Sequence, residues 1–320
     1  MSNEIKIRSG HERLAVFLDN IPYIVLLLLV IWNCIFTRNF FSIYTVSSAI
    51  FQCASAIIIA LGMTLIIGTG GIDLSSGSVV ACAGMLATLI MRNGSIAPAV
   101  AAALLLGITG GAVNGYFTGK FNVQPMIVTL STMYIFRGVT RLISGGSNVS
   151  TRTPSFNDLT YIKIFSMPIH LYICLVVVVL MYILVEKTNF GQHVTAVGDN
   201  PKAAEMAGIS VWKTILITYI IASLLNGFAS LIEISMATGA DPNNLGSGME
   251  LDAIAAVAIG GTPMSGGKPR ILGTVAGSLI LQIISMMINM NNIPYAYSLA
   301  ITAAILLAAL LLQRLKSVLG

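Results

Sequence analysis

A chain of 320 residues with 56% hydrophobic and only 9% charged side chains, at a mean hydropathy of +0.88, has too little polar surface to face water, where an ordinary soluble domain carries about 25% charged residues. That excludes a soluble globular enzyme. The formal charge of +5 does not mark a nucleic-acid partner, because Lys and Arg are scattered through short loops with no basic stripe interleaved with aromatics.

The N-terminal segment 1–20 carries Lys6, Arg8 and Arg13 ahead of "IPYIVLLLLVIWNCIF". Trp32, Phe36, Arg38 and Phe40 stand where a cleaved signal peptide would need small residues, so this run is expected to be an uncleaved first span. Apolar runs approaching the ~20 residues needed to cross a bilayer then place spans near 21–37, 46–68, 78–91, 97–118, 125–143, 168–186, 213–236, 252–267, 271–290 and 296–312, about ten crossings, with a tail at 313–320. The expected fold is an all-α polytopic bundle in which residues 1–320 form a single transmembrane domain.

Orientation follows from the cations. With the N-terminus inside, cytoplasmic segments hold Lys6, Arg8, Arg13, Lys120, Lys187, Lys202, Lys213, Lys268, Arg270, Arg314 and Lys316, eleven against the four of the outer loops, Arg38, Arg92, Arg152 and Lys163. Excess Lys and Arg marks the cytoplasmic side, so both termini are expected there. Arg137 and Arg141, near the outer end of the fifth span, have stems long enough to snorkel toward the headgroups.

Between the second and third spans the helix pattern breaks at "GTGGIDLSSGS", residues 68–78. Non-helical backbone at membrane depth is tolerated only against protein or water, so Gly70, Gly71, Asp73, Ser75, Gly77 and Ser78 become candidates for a translocation path. Asp73 is the sharpest of them, since a carboxylate at the bilayer centre costs about 2.5 to 3.5 kcal/mol. Two roles fit it: capping the third span through free N–H groups, the favoured one, or contact with a substrate hydroxyl or a gating partner. Asn114, Gln124, Asn226 and Gln282 are further intramembrane polar residues that could line a path, although bridging between helices accounts for them more simply.

Two loops are long. The outer one, 144–167, is polar and turn-rich; the inner one, 187–212, contains "DNPKAAEMAG". There Asn200 suits an N-cap, Pro201 the first helical position, and Gly208 the stop, which predicts a helix of about two turns lying across the cytoplasmic face. Toward the C-terminal end Glu233 closes the seventh span, Glu250 and Asp252 suit the N-terminal cap of the eighth and an outer contact, and a second break, "AIGGTPMSGGK" at 258–268, matches the first at an offset of 190. The matches pair Gly70 with Gly260, Gly71 with Gly261, Ser75 with Ser265 and Gly77 with Gly267. Paired Gly/Pro interruptions in two halves are the signature of a transporter with an internal repeat, which adds Gly260, Gly261 and Ser265 to the path candidates.

Several chemistries are excluded. "GTPMSGGKP" has one residue too many for a P-loop, and Pro269 occupies the place of the Ser or Thr that would hold magnesium. "GTGGID" lacks the third glycine and the soluble βαβ setting of a dinucleotide fingerprint. His11, His170 and His193 lie far apart, Cys34, Cys53, Cys82 and Cys174 fall in or beside apolar runs, and no hydrolase or metalloprotease motif is present. No metal site or catalytic residue is expected.

Four segments carry a family resemblance: "GMTLIIGTGGIDLSSGSVVA" (62–81), "VQPMIVTLSTMYIFRGVT" (123–140), "TNFGQHVTAVGDNPKAAEMAGISV" (188–211) and "GMELDAIAAVAIGGTPMSGGKPRILGTVAGSLI" (248–280). In this order the chain resembles the permease subunit of bacterial ribose-type ABC importers of monosaccharides. It departs from the common pattern at Ser76, where the family has Val, and at Asp199-Asn200, where it has Gly-Asn. The resemblance implies an inner-membrane protein that works with a second permease copy, identical or related, on cytoplasmic ATPase subunits that bind ATP and Mg. A periplasmic binding protein delivers the sugar. It assigns coupling to the ATPase to Gly198, Asn200, Pro201, Ala203, Ala204, Glu205, Gly208 and Ile209, and leaves Glu250 and Asp252 as contacts for the binding protein. The rival reading is an ion-coupled secondary sugar transporter, which needs a titratable intramembrane acid; Asp73 is its candidate.

Overall fold

The computed structural model describes residues 20–37, 40, 42–151 and 153–291, with single positions at 297, 300, 303 and 304. The expected tenth span 296–312 falls almost wholly outside the described residues. So do the tail 313–320, residues 1–19, and the cations Lys6, Arg8, Arg13, Arg38, Arg152, Arg314 and Lys316.

The chain runs through α1 (Asn20–Phe36), α2 (Ile43–Gly68), α3 (Ser76–Met91), α4 (Ile96–Lys120) and α5 (Pro125–Ser144), then a short α6 (Pro154–Asn157), α7 (Ile169–Glu186), α8 (Asn189–Asp199) and α9 (Pro201–Met206). It ends in α10 (Val211–Ala237), α11 (Met249–Ile259) and α12 (Ile271–Met290). Six of these helices, α2, α4, α5, α7, α10 and α12, are long and apolar enough to cross a membrane; α1 and α3 are shorter apolar helices. This is a helical membrane protein.

The expected eighth span, 252–267, is the clearest departure. Its helix begins at Met249 and stops at Ile259 after 11 residues, about half of a crossing at 1.5 Å per residue. Gly261, Gly266 and Gly267 all take positive φ, and Pro263 and Pro269 remove two amide donors, so the apolar run cannot continue as helix. The all-α expectation also needs an addition. The long polar loop after α5 folds into β1 (Val149–Ser150), β2 (Lys163–Ile164) and β3 (Met167–Pro168). β2 pairs with β3, and β1 pairs antiparallel with β4 (Gly239–Ala240) beyond α10. The loop after α7 likewise holds a helix beyond the expected one, α8, capped by Thr188, whose hydroxyl accepts from the Phe190 N–H.

α2 is the central post, packed by α10, α11, α12 and α7. Ile58, Ile59, Leu61, Met63, Leu65, Ile66 and Ile67 along it are all fully buried. The tightest neighbours are α4 and α10. Gly107, Gly111, Gly115 and Gly119, four residues apart on one face of α4, sit against Ser223, Tyr219, Leu216 and Trp212 of α10 so closely that added methyls would overlap backbone atoms. Small residues at this spacing let two helix backbones approach and gain dispersion contacts that lipid alone does not favour.

Candidate functional site

Both Gly-rich breaks open in the same way. α2 ends with Gly70 in the left-handed region (φ 81°), the Gly71 N–H donating to the Ile66 carbonyl (3.0 Å) and the Gly70 N–H to that of Ile67 (2.8 Å). α11 ends with Gly261 (φ 84°), where Thr262 N–H reaches Val257 O (3.3 Å) and Gly261 N–H reaches Ala258 O (3.1 Å). This paired C-terminal cap satisfies the last carbonyls and requires glycine at the left-handed position. The equivalent glycines are therefore Gly70 and Gly261, one residue out of the register that the sequence identities suggest.

Beyond the first cap, the chain is held by a hydrogen-bonded relay. The Ser75 N–H (2.8 Å) and hydroxyl (2.6 Å) both donate to Asp73 Oδ1, and the Ser76 hydroxyl donates to Oδ2 (3.1 Å). Asn114 Nδ2 of α4 donates to Ser75 Oγ (2.8 Å), and Thr132 of α5 donates to Asn114 Oδ1 (2.8 Å). Thr129, one turn before Thr132, accepts from the Leu74 N–H (3.1 Å). Asp73, Ser75, Ser78, Asn114 and Thr129 are completely buried. Neither threonine stood out from the sequence, although their i, i+3 spacing on α5 is the one available signal.

The second break lies directly against the first. Gly267 N–H donates to Gly68 O (3.0 Å), and Gly70 lies beside the Ser265 carbonyl. Gly198, at the end of α8, fills the angle between them: a methyl on its Cα would overlap Gly68 O and the Gly267 nitrogen. From this junction the chain enters α9, where the Asn200 side chain accepts from the Ala203 N–H (3.1 Å) and Gly208 (φ 84°) forms the same paired cap with Ile209 N–H on Ala204 O (3.0 Å). Pro201, Lys202, Ala203 and Glu205 are exposed while Ala204 is buried, and Met206, 86% exposed, is the helix's apolar knob. An ion pair from Lys268 to Glu186 (3.3 Å) ties the second break to α7; being exposed, it adds little stability.

Glu250 and Asp252 begin α11 and diverge. The Glu250 carboxylate lies against Gly77, its Oε2 without a hydrogen-bond partner, and Arg137, whose Nη1 donates to Leu245 O (2.7 Å), offers it a compensating charge. Asp252 instead opens into a polar cavity of about 280 Å³ between α2, α10, α11 and α12. Gln52 and Ser55 of α2, Glu233 of α10, and Ser278, Gln282 and Ser285 of α12 share its wall. The Ser55 hydroxyl donates to Glu233, and Gln282 donates to Gln52 (2.9 Å). Gln52, Ser55, Ser278 and Ser285 were not singled out in the sequence, because isolated Ser and Gln in apolar helices look alike whether they face a cavity or a neighbouring helix. Of the other polar candidates, Gln124 is exposed at the start of α5 and Asn226 is buried in α10 without a hydrogen-bond partner among the described residues. In the turn after β4, Asp241 accepts from the Asn243 N–H and the Asn244 amide, which together hold its carboxyl below the ordinary value.

The family described as branched-chain amino acid transport system / permease component matches residues 45–310. The chain is 37% identical over 298 residues to the ribose import permease protein RbsC of Escherichia coli (strain K12), covering 92% of both chains. It is 35% identical over 263 residues to that organism's galactofuranose transporter permease protein YtfT, across 82% of this chain and 77% of the relative. With its L-arabinose transport system permease protein AraH the identity is 33% over 294 residues, across 92% and 89%. No solved structure matches.

Proposed function

The chain belongs to the branched-chain amino acid transport system / permease component family, and on that premise we propose that it is the membrane permease of an ATP-binding cassette importer for a monosaccharide. Relatives named for ribose, galactofuranose and arabinose support a pentose or a related sugar as cargo. In this reading the protein sits in the inner membrane with both termini cytoplasmic, completes about ten spans built as an internal repeat, and pairs with a second permease copy. A separate cytoplasmic ATPase binds ATP and Mg and supplies the energy, and a periplasmic protein delivers the sugar.

The observation that carries the proposal is the junction at Gly198. A force applied to the exposed helix α9 passes into α8, whose last turn bears on Gly68 and Gly267 together. The broken ends of α2 and of the segment leading into α12 therefore move as one when α8 moves. Glycine backbone with no side-chain cushion transmits such a displacement because close-packed interiors are stiff. Closure of an ATPase pair under α9 would thus rock both breaks at once, opening the path outward, and hydrolysis would reset it.

Reconstitution in proteoliposomes tests this. Sugar uptake is expected only when ATPase, binding protein and ATP are all supplied. Uptake by the chain alone under an imposed proton or sodium gradient would overturn the proposal in favour of a secondary transporter.

A further inference from the structure

We infer that the cavity between α2, α10, α11 and α12 is a binding site for the transported monosaccharide itself, held in neutral form through its hydroxyls. The inference rests on the permease reading and adds to it a selectivity site within the membrane layer, separate from that of any soluble binding protein.

Ser278 is the decisive residue. It is 4% exposed, its hydroxyl has no hydrogen-bond partner among the described residues, and it opens onto the cavity. A buried hydroxyl left unpaired costs about 1 to 3 kcal/mol, which a ligand hydroxyl in the cavity would relieve. Asp252 and Glu233 present carboxylate oxygens, which only accept; the amides of Gln52 and Gln282 both donate and accept. Sugar hydroxyls need this mixture, since each is donor and acceptor together. The walls between the polar groups are Met236, Met249 and Leu281, apolar surface for the C–H faces of a ring.

Charge and size narrow the class. Among the described residues no Lys, Arg or His lines the cavity, so the anionic group of a phosphorylated sugar or an amino acid would lie beside Asp252 and Glu233 with no cation to offset its desolvation. Its volume of about 280 Å³ lies at the lower bound of ligand pockets, roughly 300 Å³, which suits a single ring and no oligosaccharide. A calcium-like cation needs about six to eight converging oxygens. Here the two acids stand on different helices, and Glu233 is already engaged by Ser55.

The test uses the full chain with its ATPase subunits in nanodiscs, without the binding protein. The probe is whichever of D-ribose, L-arabinose and D-galactose the reconstituted complex imports with ATP. Saturable binding of that sugar is expected, at least tenfold weaker in Asp252→Asn and several-fold weaker in Ser278→Ala, and unchanged in Leu251→Ala on the adjacent exposed position. Each variant is first checked for a monodisperse, wild-type elution profile. The small Ser278→Ala change keeps the test decisive if Asp252→Asn folds poorly. Binding as strong as that of the unsubstituted protein in both variants, no saturable binding of an imported sugar, or displacement of the sugar by L-leucine or sodium overturns the site. If none of the three sugars is imported with ATP, the permease reading fails instead, and saturable binding of one of them that Asp252→Asn and Ser278→Ala both weaken would still support the site.

Discussion

Asp73 shows how an acid becomes tolerable inside an apolar protein. Its two oxygens take up three donors from Ser75 and Ser76, and the hydroxyl and amide hydrogens of Thr132, Asn114 and Ser75 all point along the relay toward the carboxylate. Aligned donors polarise one another, so the charge stabilises the relay and the relay stabilises the charge. The carboxylate binds the turn before α3 by taking the Ser75 N–H, a turn-closing bond just outside the helix and not the first-turn amides of a standard N-cap. Asp73→Ala removes the acceptor at the end of the relay and is expected to destabilise the fold by about 1 to 3 kcal/mol. That is measured as a lowered thermal midpoint in detergent, with uptake per folded molecule retained. An unchanged midpoint with lost uptake would make Asp73 a path residue.

Among the elements, α4 and α10 define the closest helix pair, and its cause lies in four glycines. At Gly111 an added methyl would overlap the Tyr219 carbonyl oxygen, a backbone atom that cannot rotate away. Gly111→Ala is therefore expected to cost about 1 to 3 kcal/mol as overpacking. Gly138 of α5 has nothing within 4 Å of the same position, so Gly138→Ala should be neutral or stabilise by up to ~1 kcal/mol through helix propensity. Thermal denaturation followed by size-exclusion chromatography separates the two; equal effects would mean that the α4–α10 contact does not limit stability. The "GITGGAVNGYFTG" run that makes this contact was open to view in the sequence, but only the fold names α10 as its partner.

For the whole molecule, the decisive geometry is that three segments distant in sequence, at Gly68, Gly198 and Gly267, meet without an intervening side chain. Gly198→Ala would wedge α8 away from both breaks. In the reconstituted complex ATP hydrolysis is expected to continue while sugar uptake falls at least tenfold, so that the ratio of sugar moved to ATP hydrolysed drops. An unchanged ratio in a folded variant would show that α8 does not drive the breaks.

The helical membrane class, most helix boundaries to within a few residues, the two breaks, and the capped helix after Asn200 were legible in the sequence. These depend on local terms: apolar run length, glycine φ and capping side chains. It misplaced the end of the eighth span because an apolar count is blind to the positive φ of Gly261, Gly266 and Gly267. The packing of the helices, and nothing local, puts Asp252 on a cavity and Glu250 on Gly77, leaves the Ser278 hydroxyl unpaired among the described residues, and seats the end of α8 on both breaks. Those facts depend on which helices become neighbours, and a polar residue in an apolar helix carries no local mark of the helix it will face.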